Sequence, residues 1–392
     1  MTDSYIPQAQ LTRLEHAVAP GRVVVVYGPR RVGKTTLIRR YVQRYAPDAL
    51  VVTGEDIAVR EYLESQSLAK LKAFVGGRRT LIVDEAQHVR QVGLNLKLLA
   101  DHVEGLRIVA TGSSSFDLAR HTGEPLTGRK LTLLLLPLAQ LELQAVEEAH
   151  ETRAHLEMRL IYGSYPKVVL MESNEDREIY IRELVSSYLF KDILQLEGIR
   201  YTDKLLRLLQ LIAFQIGHEV SVTELGTQLG MSKNSVERYL DLLEKAHVIY
   251  NRRGFSRNLR KEITKSRRYY FYDNGIRNGL ISNFNSISLR DDAGALWENY
   301  ILAERLKYNL YTGHLAESYF WRTYDRQEID LVEEWGGQLH AAEMKWSPRH
   351  AAHAPGGWRH AYPDTSFQVV HRDNYLDFIA TPDGRAAGES SS

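Results

Sequence analysis

The chain has 392 residues, a net charge of +1, 25% charged and 44% hydrophobic residues, and no cysteine. That is the composition of an ordinary globular protein with room for two or three domains. It excludes disulfides, zinc–thiolate centres and thiol catalysis, and a nucleic-acid partner has to be met by a local basic patch, because no global field is available. The first residues show no leader pattern, and no apolar run approaches the ~18 residues of a spanning helix. A cytoplasmic protein with no membrane partner is therefore expected.

Residues 11–19 read as a short amphipathic helix and residues 22–27 as a buried strand. Then comes Gly28-Pro29-Arg30-Arg31-Val32-Gly33-Lys34-Thr35, followed by Thr36 and apolar residues at helical spacing. This fits the G-x-x-x-x-G-K-[ST] phosphate loop in its strand–loop–helix setting. Backbone N–H groups and the helix N-terminus suit a polyanion. Lys34 is expected at the β/γ-phosphates and the Thr35 hydroxyl on Mg²⁺, so ATP and Mg²⁺ are the expected cofactors. A second strand spans 49–53 and a helical segment about 57–75. The strand ending at Asp84-Glu85 offers one acid to hold Mg²⁺ and a second, Glu85, to orient and deprotonate the attacking water. The next strand, 106–111, runs into Gly112-Ser113-Ser114-Ser115, where Thr111 and Ser113 are candidate γ-phosphate sensors. Alternating strands and helices around such a loop predict a parallel sheet covered on both faces, with ligand at the strands' carboxyl ends.

Four motifs stand in order: the phosphate loop, Val83-Asp84-Glu85-Ala86-Gln87, Ala110-Thr111-Gly112-Ser113-Ser114-Ser115 and Leu126-Thr127-Gly128-Arg129. Together with Pro137-Leu138-Ala139-Gln140-Leu141-Glu142-Leu143, they resemble a widespread prokaryotic family of AAA-type ATPases that carry a C-terminal domain of uncharacterised function. The resemblance covers residues 11–379. It implies that Arg129 acts on the γ-phosphate, either within its own subunit or as an arginine finger in a neighbour, and that the protein is a homo-oligomer. It also implies that the helix-rich residues 146–200 form the lid that follows the ATPase core, residues 1–145.

Residues 201–275 read as a winged helix-turn-helix. A short helix, a turn at Gly230 and a second helix N-capped by Ser232 come first. Lys233, Asn234 and Arg238 face outward near that helix's start, where such modules contact nucleic acid. Strands near 248–250 and 268–272 supply the wing. Arg252, Arg253, Arg257, Arg260 and Lys261 lie between them and suit phosphate-backbone binding of low sequence specificity. Winged helices also serve as assembly modules, and that alternative stays open.

Residues 276–380 read as a helix, three strands, a further strand and a short helix, with a disordered tail over 381–392. Glu298 on the helix, Asp330 on the second strand and Glu343-x-Lys345 on the third look like a restriction-endonuclease-type site, in which carboxylates hold Mg²⁺ and the lysine stabilises developing charge. Such a domain cuts DNA, binds it without cutting or serves as scaffold. His350, His353 and His360 show no recurring ligand spacing and read as an exposed loop.

The fold class is therefore α/β: a phosphate-loop αβα sandwich with a helical lid, a winged helix-turn-helix and a restriction-endonuclease-like domain. The function expected is ATP turnover coupled to binding and remodelling of DNA, branched or junction forms included, with a metal-dependent nuclease site open. The alternative is a nucleotide-dependent switch acting on protein partners.

Overall fold

The computed structural model describes residues 5–112, 126, 128–189, 202–256, 267–323, 325–349 and 353–380. Ser113, Arg257, Arg260, Lys261, His350 and the tail from 381 lie outside the described residues.

Short apolar runs build the first layer. Strands β1 (Val23–Tyr27), β2 (Leu50–Thr53), β3 (Thr80–Asp84), β4 (Arg107–Gly112) and β5 (Lys130–Leu134) form one parallel sheet in the order β2-β3-β4-β1-β5. Successive residues point to opposite faces, so Val24, Val26, Ile82 and Val109 enter one core while Val23, Val25, Leu81, Val83 and Ile108 enter another. Both faces are covered, which is why these strands read as unbroken apolar runs. β1 lies between β4 and β5, so the loop after Tyr27 emerges at the carboxyl edge with a strand on either side. The helical segment expected over 57–75 is two helices, Ile57–Leu63 and Leu68–Val75. Gln66 between them is left-handed at φ 50°, and Ser67 caps the second helix.

The chain beyond β5 is held by buried charge. Glu142 is 3% exposed, and its two oxygens accept from the backbone N–H groups of Ala9 (2.7 Å) and Ala139 (2.8 Å). The long helix Ala293–Thr312 reaches the same place: Glu304 accepts from Gln140 N at 2.6 Å, and Lys307 donates to Leu138 O and Glu304. Burial, opposed by those N–H groups and by Lys307, pushes the Glu142 pKa up from 4.5 to about 7. A carboxyl with a higher pKa folded than unfolded keeps its proton longer in the fold, so its contribution to stability falls as pH rises from 4.5 towards 7. Glu142→Gln should therefore gain stability relative to wild type across that window, by on the order of 3 kcal/mol at most. Urea unfolding of both proteins at pH 5 and pH 8 checks this, and a difference independent of pH would contradict it.

Helices Ala149–Ala154, Leu156–Tyr162, Pro166–Leu170 and Asn174–Glu183 follow, the last continuing as a π-helix over Leu184–Leu189. The turn at Gly163 needs glycine: φ is +77°, and a Cβ there would lie 2.0 Å from Asp273 Oδ1. Asp273 accepts from Ser164 N at 2.7 Å and ties this turn to the segment after strand Arg267–Phe271.

Helices Val222–Leu229 and Lys233–Lys245 form around Gly230, with Ser221 and Ser232 as N-caps and Val236, Tyr239, Leu240 and Leu243 buried. The strands that flank and follow this helix pair do not form separate units. β6 (Glu219–Val220), β7 (Ile249–Gly254), β8 (Arg267–Phe271), β9 (Glu317–Arg322), β10 (Glu328–Trp335), β11 (Gln338–Met344) and β12 (Ser366–Val370) make one seven-stranded sheet, ordered β12-β11-β10-β9-β7-β8-β6. The join is a short parallel contact, Arg253 with Tyr319 and Gly254 with Phe320. The expected division at 275/276 thus crosses a continuous sheet, and one apolar core runs from Leu14 to Ala380. The stretch read as a histidine-bearing loop contains helix Gly356–Ala361, anchored by Trp358 at 0% exposure. Among the described residues, no helix is long and apolar enough to cross a membrane.

Candidate nucleotide site and acid cluster

The phosphate loop, β3 and β4 bring the predicted nucleotide residues together at the carboxyl edge of the first sheet. Gly28, Arg31 and Gly33 have φ of 148°, 63° and 98°, which turns successive N–H groups inward ahead of helix Lys34–Tyr45. A Cβ at Gly28 would lie 1.9 Å from Leu135 O, so only glycine fits. The Lys34 ammonium rests on the carbonyls of Gly28 (3.0 Å) and Pro29 (2.8 Å) and is 6% exposed. The Thr35 hydroxyl donates to Asp84 Oδ2 at 3.0 Å. Asp84 Oδ1 accepts from the Thr111 hydroxyl, and Glu85 N donates to Thr111 Oγ1 (3.1 Å) and Asp84 Oδ1 (3.2 Å). Glu85 is left-handed at φ 50° and accepts a side-chain bond from Gln87. Val32 is buried, its carbonyl accepting from Gln8 Nε2 at 3.1 Å, and Arg31 turns outward to Glu183 at 3.7 Å. Pro29 and Arg30 line a cavity beside the loop, and Thr36 lies in the first turn of the helix.

These residues fit a nucleotide and its magnesium. Thr35 and Asp84 present hard oxygens side by side, the donor type Mg²⁺ takes, and the loop presents N–H groups and an ammonium, the donors a phosphate chain takes.

Arg129 does not join them. Val23 pairs with Lys130 at the amino end of β1 and β5, whereas the loop starts past Tyr27 and Leu134. Four strand steps, about 13 Å, separate the two ends. Val23 N is bonded to Arg129 O, and the Arg129 guanidinium pairs with Asp101 at 2.7 Å. Of the two roles expected for Arg129, action within its own subunit is removed by this distance.

Lys233, Asn234 and Arg238 are exposed on helix Lys233–Lys245, with Lys233 3.9 Å from Glu237. Arg253 is exposed on β7. Arg252 is not available to DNA: it is 4% exposed, and its guanidinium lies 5.6 Å from the Tyr270 ring centre. Alternation along β7 explains the correction. Tyr250 and Arg252 share the inner face and stand opposite Tyr270 and Arg268 of β8.

Those side chains face the predicted nuclease residues. Glu298 accepts from the Tyr270 hydroxyl at 2.7 Å. Asp330 accepts from Met344 N at 2.8 Å, beside an irregularity in the β9–β10 pairing. Glu343 and Lys345 pair at 2.6 Å. Arg268, 4% exposed, reaches Glu328 at 2.9 Å and Asp330 at 4.0 Å. Burial, then the charges of Glu298 and Glu343, holds the Asp330 pKa well above its ordinary value, and burial raises that of Glu298. Burial acts to lower the Lys345 pKa, but Glu343, Asp330 and Glu298 together raise it. The four expected residues are thus neighbours, yet among the described residues no group of three His, Asp or Glu side chains is arranged to hold a metal ion. Tyr270 bonds Glu298, Arg268 lies 4.0 Å from Asp330 and Lys345 pairs with Glu343, so the magnesium expected here would have to displace protein partners from these acids.

Sequence reading passed over Gln8 and His247, and named Gln87 within a motif without giving it a role. Gln87 stands two residues after Glu85, a spacing that places it on the same short turn. Gln8 and His247 reach the loop only through the tertiary fold.

Residues 20–144 match the family described as AAA domain, and residues 153–287 and 293–380 match two domains of unknown function. A Mycobacterium tuberculosis protein described as uncharacterized is 30% identical over 338 residues, covering 85% of this chain and 72% of that one. The chain belongs to this family of AAA-domain proteins. An uncharacterized Haemophilus influenzae protein is 23% identical over 387 residues, covering 92% of this chain and 88% of its own. Among solved structures, the Thermotoga maritima RuvB Holliday junction branch migration motor matches with a TM-score of 0.30 and 18% identity, over 64% of this chain and 91% of that one. Cdc6p from Pyrobaculum aerophilum matches with a TM-score of 0.28 and 13% identity, over 72% and 97%. At such scores the likeness carries neither activity nor partner. What this AAA-domain chain does has to be read from its own site.

Proposed function

We propose that the protein hydrolyses ATP and couples turnover to binding and remodelling of DNA. The observation that carries the ATPase reading is the convergence of Lys34, Thr35, Asp84, Glu85 and Thr111 on one loop. Bound magnesium supplies positive charge to the phosphates. Lys34 exchanges its carbonyl partners for phosphate oxygens, Thr35 and Asp84 hold the metal, and Glu85 orients the attacking water and takes its proton. Thr111 fixes Asp84 and the Glu85 backbone. Arg129 acts across a subunit boundary in a homo-oligomer, the role that its distance from its own loop leaves open.

The helix pair and the β7–β8 hairpin are read as a winged helix-turn-helix that meets DNA phosphates through Lys233, Asn234, Arg238, Arg253 and the basic stretch that includes Arg257, Arg260 and Lys261. The C-terminal strands are read as a restriction-endonuclease-like fold whose acids serve the structure and cut nothing. Fluorescence anisotropy with duplex DNA at rising salt tests the DNA reading. Affinity should fall with a log–log slope of about −0.9 per phosphate contacted, and Lys233→Glu with Arg238→Glu should weaken binding and flatten that slope. No binding at low salt, or a flat response, would favour a switch acting on protein partners.

A further inference from the structure

The turn 246–248 ends helix Lys233–Lys245, opens β7 and lies against the phosphate loop. His247 has φ of +55°, a left-handed conformation that a non-glycine residue keeps only when its surroundings impose it. Its ring lies 5.4 Å from the ring of Tyr27, the last residue of β1, and 5.8 Å edge-on from Tyr272. A cavity beside this turn is lined by Pro29 and Arg30 of the loop, Tyr165 and Leu184 of the helical segment, and His247 and Tyr272.

This is the terminal-phosphate end of the loop. The Lys34 ammonium sits on the carbonyls of Gly28 and Pro29, and a phosphate-loop lysine serves the β/γ-phosphates. His247 is close enough to feel that charge: burial first, then Lys34, pushes its pKa down to about 4. The imidazole is therefore neutral at pH 7 and offers one donor and one acceptor. A nucleotide that draws Lys34 off its carbonyls changes what His247 faces. The histidine is one residue beyond Ala246, whose N–H bonds Leu242 O and continues the helix.

The geometry points to His247 as a positioning residue that senses the terminal phosphate of the bound nucleotide and passes that state to helix Lys233–Lys245. This rests on the ATPase reading and names the route by which the site reaches the helix pair. In this account the loop, the Gly163 turn and the wing are one mechanical unit. Asp273 ties the wing to Ser164, and Ser164 O in turn accepts from Leu138 N beyond β5.

Hydrogen–deuterium exchange of the full chain, with ADP or with the slowly hydrolysed analogue ATPγS, tests the proposal without DNA. In wild type, exchange across Lys233–Lys245 should differ between the two nucleotides by at least about fivefold, and in His247→Ala by less than about twofold. Both proteins should show nucleotide protection at residues 28–35. His247→Asn keeps a donor and an acceptor and tolerates the left-handed backbone, so it should restore most of the difference. If His247→Ala melts below the assay temperature, Tyr27→Leu removes the facing ring and carries the same two outcomes. A difference that survives in the variant, or that is absent from wild type while the loop is protected, overturns the role of His247 and leaves the ATPase reading standing. No protection of the loop by either nucleotide overturns both.

Discussion

Replacing Glu85 by Gln should lower the turnover number for ATP by about 10²–10⁴-fold, the range typical for removing a positioned general base. Glutamine keeps the size of the side chain and its bond to Gln87 but cannot take a proton. The loop, Lys34 and the Thr35–Asp84 pair are untouched, so ATP affinity should stay within a few-fold of wild type. Lys34→Ala differs in kind: it removes a charge that faces both bound nucleotide and transition state, so affinity and turnover fall together. Steady-state hydrolysis beside equilibrium ATP binding separates the two. Wild-type turnover in Glu85→Gln would mean that another group activates the water, and the left-handed turn that presents Glu85 would then need a different explanation.

The second large effect is on stability. Arg268 is 4% exposed and is the cation within reach of both Glu328 and Asp330. Its guanidinium also lies 4.5 Å from the Phe320 ring centre. Arg268→Ala removes the positive charge beside the buried Asp330 and the half-exposed Glu328, and because the closer pair is half in solvent it should cost about 1–3 kcal/mol in denaturant unfolding. Adding Asp330→Asn should recover part of that loss, because the charge left behind is removed as well. A cost under about 1 kcal/mol, the level of an exposed pair, would mean that these acids are stabilised by other groups. A cost in the expected range would mean that β7–β8 and the C-terminal strands depend on each other for charge as well as for backbone pairing.

The parts of the site that are contiguous in the chain were legible before any coordinates. The strand–loop–helix run around Gly33 and Lys34, and an apolar strand ending in Asp84 and Glu85, each carry their meaning within a few residues. The helix pair around Gly230 was legible for the same reason, through the turn at Gly230 and Ser232 as a cap. Reading failed where meaning depends on the partner strand. Arg252 belongs by composition to a basic patch, but the two-residue period of β7 sends it inward beside Tyr270. Arg129 follows a Gly-Arg step that resembles a catalytic motif, and the sequence alone left open which subunit's nucleotide it would serve; parallel pairing of β1 with β5 sets it at the end of the sheet away from its own loop. The join of β7 to β9 rests on two register pairs, and a parallel contact of that length leaves no pattern in the sequence. Glu298, Asp330, Glu343 and Lys345, far apart in the chain, stand near one another in the fold. The Tyr270 hydroxyl that bonds Glu298 and the Arg268 guanidinium beside Asp330 come from a segment read as a separate module.

The central claim is that ATP turnover at this loop is coupled to DNA. The most direct measurement is steady-state ATP hydrolysis with no DNA, single-stranded DNA, duplex DNA and a four-way junction, with Glu85→Gln as the blank. The account predicts that at least one DNA form raises turnover and that the variant abolishes hydrolysis in every condition. Turnover that vanishes in the variant but ignores every DNA form would contradict the coupling and leave a nucleotide switch whose partners are proteins.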